Sequence, residues 1–458
     1  MKKDKSQTDD AVWEELPDIQ TPIYKIDEKP SRWWESLMYG WQHTLVDISP
    51  FVLPLAVGGA LGMSAGQSAE FINFCLFAMG IATLIQTTIG NRLPIIQGPS
   101  ATLTGTLAPL ASQLGGPAMW GGAFVGGLIE MLIGASRILT VFRKLFPPAV
   151  SGVIIIAIGV SLGQLAVRLM IGDGSPMNFG YALIVLAMIF ILQLRFKSAF
   201  NGILSRGAIF ISIWVVGLGL GGVLGDVNWA LIAEKPWFQL PRFFPYGGPG
   251  FGWEFSIAAI LVVLAGYLGS MVESLGDYAA TCAVAGERYQ VKHMNRGIFA
   301  EGLSSALAAM LGGLPVTSYT QNIGIIATTR VASRFIVQIA AVILLLYGLC
   351  PKFGALLVAM PRSVLGGVFV IVCGMIAFSG IKLLHIVKNT DANAFLIGTT
   401  LIAAIGIPIY TRYVLGTDWL NQLHISLRLL ATNTVVLAVL ISLVLNVLLN
   451  FLHRPDAQ

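Results

Sequence analysis

Apolar runs of about twenty residues recur along the chain from Thr44 to Phe451, separated by short breaks that hold most of its charges and many of its prolines. A helix rises about 1.5 Å per residue, so a run of this length crosses the roughly 30 Å of hydrocarbon in a bilayer. Fourteen runs can be marked, at 44–62, 69–90, 94–113, 118–141, 147–169, 178–194, 207–224, 256–284, 297–313, 315–331, 335–350, 361–380, 393–411 and 427–451. Backbone exposed to lipid must satisfy its own hydrogen bonds, which such runs do as helices, so the expected fold class is an all-α polytopic membrane protein. Composition agrees: 55% of the 458 residues are hydrophobic and 11% charged, well outside the range of a soluble domain. The four cysteines, Cys75, Cys282, Cys350 and Cys373, sit inside apolar runs without CxxC spacing and read as small buried hydrophobes.

The net charge of +5 arises from 28 Lys and Arg against 23 Asp and Glu, and its distribution matters more than its size. It is no nucleic-acid footprint. With the N-terminus inside, the inner breaks between runs and the C-terminal end collect fifteen basic residues, Arg92, Arg296 and Arg334 among them, and the outer breaks seven, including Arg168, Lys235 and Arg428. That excess places both termini in the cytoplasm. Residues 1–40 are polar, lack the pattern of a signal peptide and read as a cytoplasmic tail. Trp33, Trp34 and Trp41 mark the headgroup level. The longest break, Asp226 to Glu254, falls outside and is expected to lie along the outer interface.

The halves repeat weakly. At an offset of 214, Gly134, Pro147, Val150 and Gly152 meet Gly348, Pro361, Val364 and Gly366. Seven spans is an odd number, so such repeats have inverted topology. The third and tenth runs occupy corresponding places and share a character: each begins with proline, continues through a hydroxyl-rich stretch (PIIQGPSATLTG from Pro94, PVTSYTQN from Pro315) and then turns helical. Interrupted helices in equivalent positions point to a binding site at mid-membrane, where two half-helix ends present unpaired N–H groups and their positive dipole ends. The helix of the tenth run is expected to begin near Gln321 and Asn322.

Acidic residues within lipid need a reason, since each costs about 2.5–3.5 kcal/mol or more at a helix centre. Glu273 and Asp277 lie four apart and share a helical face. Glu301 lies in the ninth run. For all three a substrate-binding or proton-carrying role stands beside a structural one, a carboxylate locked to a Ser, Thr or backbone partner. Glu130 is more isolated in sequence and reads as structural. His43, beside Gln42 ahead of the first run, is open to three readings: proton relay, pocket-ordering hydrogen bonder or interfacial residue. Its position favours the last.

The stretch QNIGIIATTRVASR at 321–334 is similar to the signature of the nucleobase/ascorbate transporter family, the nucleobase:cation symporter-2 group. Gln42-His43, Glu273 with Gly276-Asp277, and an acidic residue in the ninth run follow in that family's order. The resemblance implies fourteen transmembrane segments as two inverted repeats of seven. It also implies a core of residues 41–145 and 255–352 moving against a gate of residues 146–254 and 353–458, with homodimers formed through the gate. The members this chain resembles are bacterial inner-membrane symporters that carry uracil, xanthine, urate or other purines with protons and no other cofactor; the animal ascorbate branch uses sodium. Carried over by position, Glu273 matches the carboxylate that hydrogen-bonds the base and Gln321 the group reading its opposite edge. Asn322, Asp277 and His43 match site-shaping positions, with Asp277 and Glu301 expected to support the site from a distance.

The match is mixed. Ile323 follows Gln321-Asn322, as in uracil carriers, but those usually place Glu where this chain has Gln321. Glu301 stands where xanthine and urate carriers usually have Asp. After Ser100, Ala101 replaces a frequent aromatic residue and enlarges the expected pocket. Gln321 offers a neutral ring edge both a donor and an acceptor, which favours an oxidised purine over uracil. Proton coupling is expected at Glu273, because an ionised carboxylate is the strongest acceptor for ring N–H groups. An anion carrier of the related sulfate/bicarbonate fold would normally show a regulatory domain after the last run, where only HRPDAQ follows Leu452. A membrane-embedded enzyme would need a motif such as HExxH or GxSxG, and none accompanies the carboxylates.

Overall fold

The computed structural model describes residues 21–46, 49–136, 138–139, 145–196, 203–243 and 253–452. They are mostly helical. The first half contains α1 (Trp33–Val46), α2 (Ser49–Ala60), α3 (Ala65–Thr88), α4 (Ala101–Ser136), α5 (Pro148–Ile171), α6 (Pro176–Arg195) and α7 (Ala208–Leu224). The second contains α8 (Ile257–Val284), α9 (Val291–Met310), α10 (Thr320–Thr329), α11 (Arg334–Gly348), α12 (Pro351–Ala359), α13 (Arg362–His385), α14 (Asp391–Leu415), α15 (Ile425–Thr432) and α16 (Thr434–Asn446). Among the described residues seven helices are long and apolar enough to cross a membrane, or nine if α11 with α12 and α15 with α16, bent by 75° and 90°, each form one span.

Local sequence sets the ends and bends. Ser64 and Gln67 form a capping box at the start of α3, where the Gln67 N–H donates to Ser64 Oγ and the Ser64 N–H to Gln67 Oε1. The third and fourth apolar runs join in α4, whose 36 residues would reach about 54 Å if straight. They meet at Gly115, which takes φ 80°, a conformation closed to most side chains, just before Gly116-Pro117. The tenth run is helical from Thr320, one residue ahead of Gln321.

Helices α5 and α13 pack antiparallel in a reciprocal way. A Cβ at Gly152, early in α5, would lie 3.0 Å from the Gly380 carbonyl late in α13. A Cβ at Gly366, early in α13, would meet the backbone of Leu169 and Met170 late in α5. These are the glycines matched by the offset of 214.

Two short strands lie between the helices. β1 (Gln97–Pro99) pairs antiparallel with β2 (Val316–Ser318), with Gln97 opposite Ser318, Gly98 opposite Thr317 and Pro99 opposite Val316. Every residue of both strands is buried, so the pair satisfies the backbone that each interrupted helix leaves open at depth.

At the chain's start, residues 21–29 form a strap along 330–335. The Ile23 N–H donates to the Arg330 carbonyl (2.7 Å), and the N–H groups of Ala332 and Arg334 donate to Tyr24 and Ile26 (2.9 Å each). Arg334 also bonds the Asp27 carboxylate. Trp33, Trp34 and Trp41 are exposed. Cys75, Cys282 and Cys373 are buried, but Cys350 is only half-buried because it precedes α12 at a bend. Residues 1–20, 244–252 and 453–458, which include the first half of the expected tail, part of the outer break and the final HRPDAQ, lie outside the described residues.

Candidate functional site

Strand β1 runs into α4 and strand β2 into α10, so two helix starts meet from opposite directions where the strands cross. Ser100 accepts from the Leu103 N–H through its Oγ, capping α4, and stands 3.2 Å from Ser270 Oγ on α8. Helix α8 supplies the facing wall. Thr102, in the first turn of α4, donates to Glu273 Oε2 at 2.9 Å. The other Glu273 oxygen has no hydrogen-bonding partner among the described residues, and the side chain is half-buried. Ala101 is 7% exposed. At Gly276 and at Gly324 a Cβ would meet nothing within 4 Å. In the first turn of α10 Thr320 is exposed and Gln321 half-buried. A half-buried carboxylate, a half-buried amide and open space therefore adjoin the paired helix starts.

The expected face-sharing of Glu273 and Asp277 holds, but their surroundings differ. Asp277 accepts from Ser318 Oγ at 2.9 Å and from Thr320 Oγ1 at 2.8 Å. It braces the β2–α10 junction directly, which corrects the expectation that it lies away from the half-helix ends. A spacing of four on a helix predicts a shared face; it does not say which crossing segment that face meets.

Glu301 is fully buried and accepts from Ser274 Oγ (2.7 Å) and Tyr278 Oη (2.6 Å), and Tyr278 in turn accepts from Gln86 Nε2 (2.8 Å). Ser274 Oγ also lies 2.9 Å from Thr317 Oγ1 and accepts from Ser318 Oγ at 3.1 Å. Glu301 is thus tied to β2 through one serine.

His43 is 1% exposed, and its Nδ1 forms a short hydrogen bond with Asn322 Oδ1, while Asn322 Nδ2 donates to the Pro94 carbonyl at 3.1 Å. The interfacial reading of His43 is corrected: α1 packs on α10 and α11, so a residue early in sequence is carried inward. Glu130 is buried, and neither of its oxygens has a partner among the described residues. Sequence reasoning missed Thr102, Ser274, Tyr278 and Gln86. Their signal was available as polar residues inside apolar runs. No group of His, Cys, Asp and Glu among the described residues could hold a metal ion.

A polytopic helical fold with two half-helices meeting at buried strands, faced by membrane-embedded carboxylates, defines a membrane transporter. Residues 34–413 match the Xan_ur_permease model, described as a permease family. The chain is 32% identical to the uric acid permease PucK of Bacillus subtilis, over 81% of this chain and 86% of that one. It is 29% identical to the xanthine permease XanQ of Escherichia coli K12, over 95% of each. Among solved structures it resembles the transmembrane domain of a cyanobacterial bicarbonate transporter, BicA, with TM-score 0.58, 16% identity and 92% and 99% of the two chains covered. It also resembles the murine Solute Carrier 26 family member A9 anion transporter, with TM-score 0.63, 9% identity and 92% and 69% covered. The chain belongs to the nucleobase:cation symporter-2 permease family. It is a transporter, not an enzyme.

Proposed function

We propose that the chain is a proton-coupled symporter that imports an oxidised purine such as xanthine or urate across a bacterial inner membrane. The observation that carries this is half-buried Glu273 bonded to the first turn of α4, with half-buried Gln321 in the first turn of α10, the two helix starts being joined through β1 and β2. Glu273 accepts from ring N–H groups, Gln321 reads the opposite edge with a donor and an acceptor, and Ser100 and Ala101 form the floor. The uric acid and xanthine permeases among its relatives support the substrate class. The reciprocal contacts of Gly152 and Gly366 support two inverted repeats and, through them, fourteen spans. On this reading the core, residues 41–145 and 255–352, moves as an elevator against the gate, residues 146–254 and 353–458. Dimers form through the gate and both termini are cytoplasmic.

Ile323 after Gln321-Asn322 favours uracil as the second reading. The likeness to bicarbonate and anion transporters concerns the fold. Purified protein in liposomes, given xanthine, urate, uracil, ascorbate and sulfate with and without an inward proton gradient, tests the assignment. Gradient-driven uptake of labelled xanthine or urate, displaced by uracil only at higher concentration, is expected. Uracil competing best would reverse the order.

Asp277→Asn and Glu301→Gln should lower the transport rate by roughly tenfold or more while changing substrate affinity by no more than about threefold, since each carboxylate holds the site through hydroxyl partners. Binding measured by calorimetry beside initial uptake rates separates the two quantities. A selective loss of binding in a folded variant would make either residue a substrate ligand instead.

A further inference from the structure

Glu130 lies on the face of α4 that meets α9. The two backbones touch there: a Cβ at Gly302 would come within 2.6 Å of the Gly127 carbonyl oxygen and 2.8 Å of the Glu130 carbonyl carbon. Glu301 precedes Gly302, so the two buried carboxylates are carried by the turns at which α4 and α9 touch. Glu130 is 1% exposed with both oxygens unpartnered, and Ser304, one turn beyond Glu301, is also buried with an unpartnered hydroxyl. A carboxylate that is merely structural would be locked to a donor.

Among the described residues no Lys or Arg forms an ion pair with Glu130 or Glu301. Helix α8 presents Tyr267, whose hydroxyl donates to the Ala123 carbonyl at 2.8 Å, and Tyr278, which donates to Glu301, with Glu273 and Asp277 further along. Arg296 of α9 is exposed, and Lys292 and His293 lie in its first turn. Helices α2 and α16 hold no titratable residue, and α5 only Arg168 in its last turn. Arg428 of α15 bonds Gln113, more than four turns from Glu130 by sequence.

A hydroxyl chain joins Glu301 to the substrate site. Exposed Thr320 bonds Asp277, Ser318 bonds Asp277 and Ser274, and Ser274 bonds Glu301. We propose that Glu130 and Glu301 form a buried pair that stores one exchangeable proton of the transport cycle, loaded from the site through Asp277, Ser318 and Ser274. Along that chain each hydroxyl accepts a proton on its oxygen and releases its own to the next oxygen, so only O–H bonds form and break, and the proton ends on a carboxylate of the pair. Glu130 touches no substrate; it is a positioning residue that decides whether Glu301 can keep a charge.

The inference rests on the proton coupling proposed above, and Glu130→Gln tests it. The amide copies a permanently protonated Glu130. Affinity for xanthine or urate is expected to stay within about twofold, while gradient-driven accumulation falls about tenfold and the pH profile of uptake moves by about one unit. Glu130→Asp, which keeps an acid, should retain most of the pH response. Wild-type accumulation and pH profile in Glu130→Gln would overturn the proposal. Unsubstituted protein that ignores the proton gradient would instead remove the coupling on which it rests. If Glu130→Gln does not reach the membrane, infrared difference spectra of the Glu273→Gln protein between about pH 5 and 8 decide the matter. A carboxylic-acid band that changes with pH and disappears in Glu273→Gln/Glu301→Gln supports the pair; no such change overturns it.

Discussion

Glu273→Gln should fold and reach the membrane yet lose proton-driven accumulation. The amide is nearly isosteric and can still accept from Thr102. It cannot act as a charge-assisted acceptor for ring N–H groups. Removing one partner of such a buried bond costs about 2–5 kcal/mol, or roughly thirty- to several-thousandfold in affinity. One carboxylate that binds both a proton and a base makes each equilibrium depend on the other by thermodynamic reciprocity. The remaining binding should therefore lose most of its pH dependence between about pH 5 and 8. Radiolabelled uptake into liposomes under an imposed gradient, with equilibrium binding across that range, measures both. Should the variant still concentrate substrate on the proton gradient, coupling would have to reside elsewhere, with Glu301 and His43 the next to examine.

The second large effect is expected at the strand crossing. A Cβ at Gly98 would stand 2.6–2.7 Å from three atoms at the hydroxyl end of the Tyr319 ring. That ring is not free to swing aside, because its hydroxyl donates to the Pro99 carbonyl at 2.9 Å and the Tyr319 backbone N–H donates to the Ile96 carbonyl at 3.1 Å. Gly98→Ala must spread β1 from β2 or break the tyrosine's bonds, and overpacking of this kind costs about 1–3 kcal/mol. The two helix starts are aligned by that strand pair, so substrate affinity should fall by about tenfold or more and the melting temperature in detergent should drop. Gly276→Ala makes the same chemical change into open space and should melt like the unsubstituted protein. Equal behaviour of the two would show that the crossing tolerates movement.

What the sequence disclosed was governed by local rules, and what it withheld depended on distant neighbours. Hydrophobic run length, proline placement and hydroxyl content announced the interrupted segments at Pro94 and Pro315, because lipid punishes unsatisfied backbone wherever it occurs. Spacing placed Glu273 and Asp277 on one face. No local rule could show that Ser318 and Thr320 would donate to Asp277, since the bonds join α8 to a segment about forty residues on. Position alone favoured the interfacial reading of His43 over the hydrogen-bonding one for the same reason: its partner Asn322 is 279 positions away. The third and fourth runs were separable by the break around Gly115, but continuation of helix on both sides of it was not. Glu130 looked isolated because its layer is assembled from α4, α8 and α9.

The N-terminal strap has a consequence for the order of events during synthesis. Tyr24 leaves the ribosome about three hundred residues before Val331, the residue it bridges, so this stretch must remain unpaired while the intervening helices are made. Its ladder closes only when the turn between α10 and α11 has emerged. The end of α10 is therefore pinned by a segment made at the beginning, and docking of residues 21–29 becomes a late assembly step that reports completion of the second half.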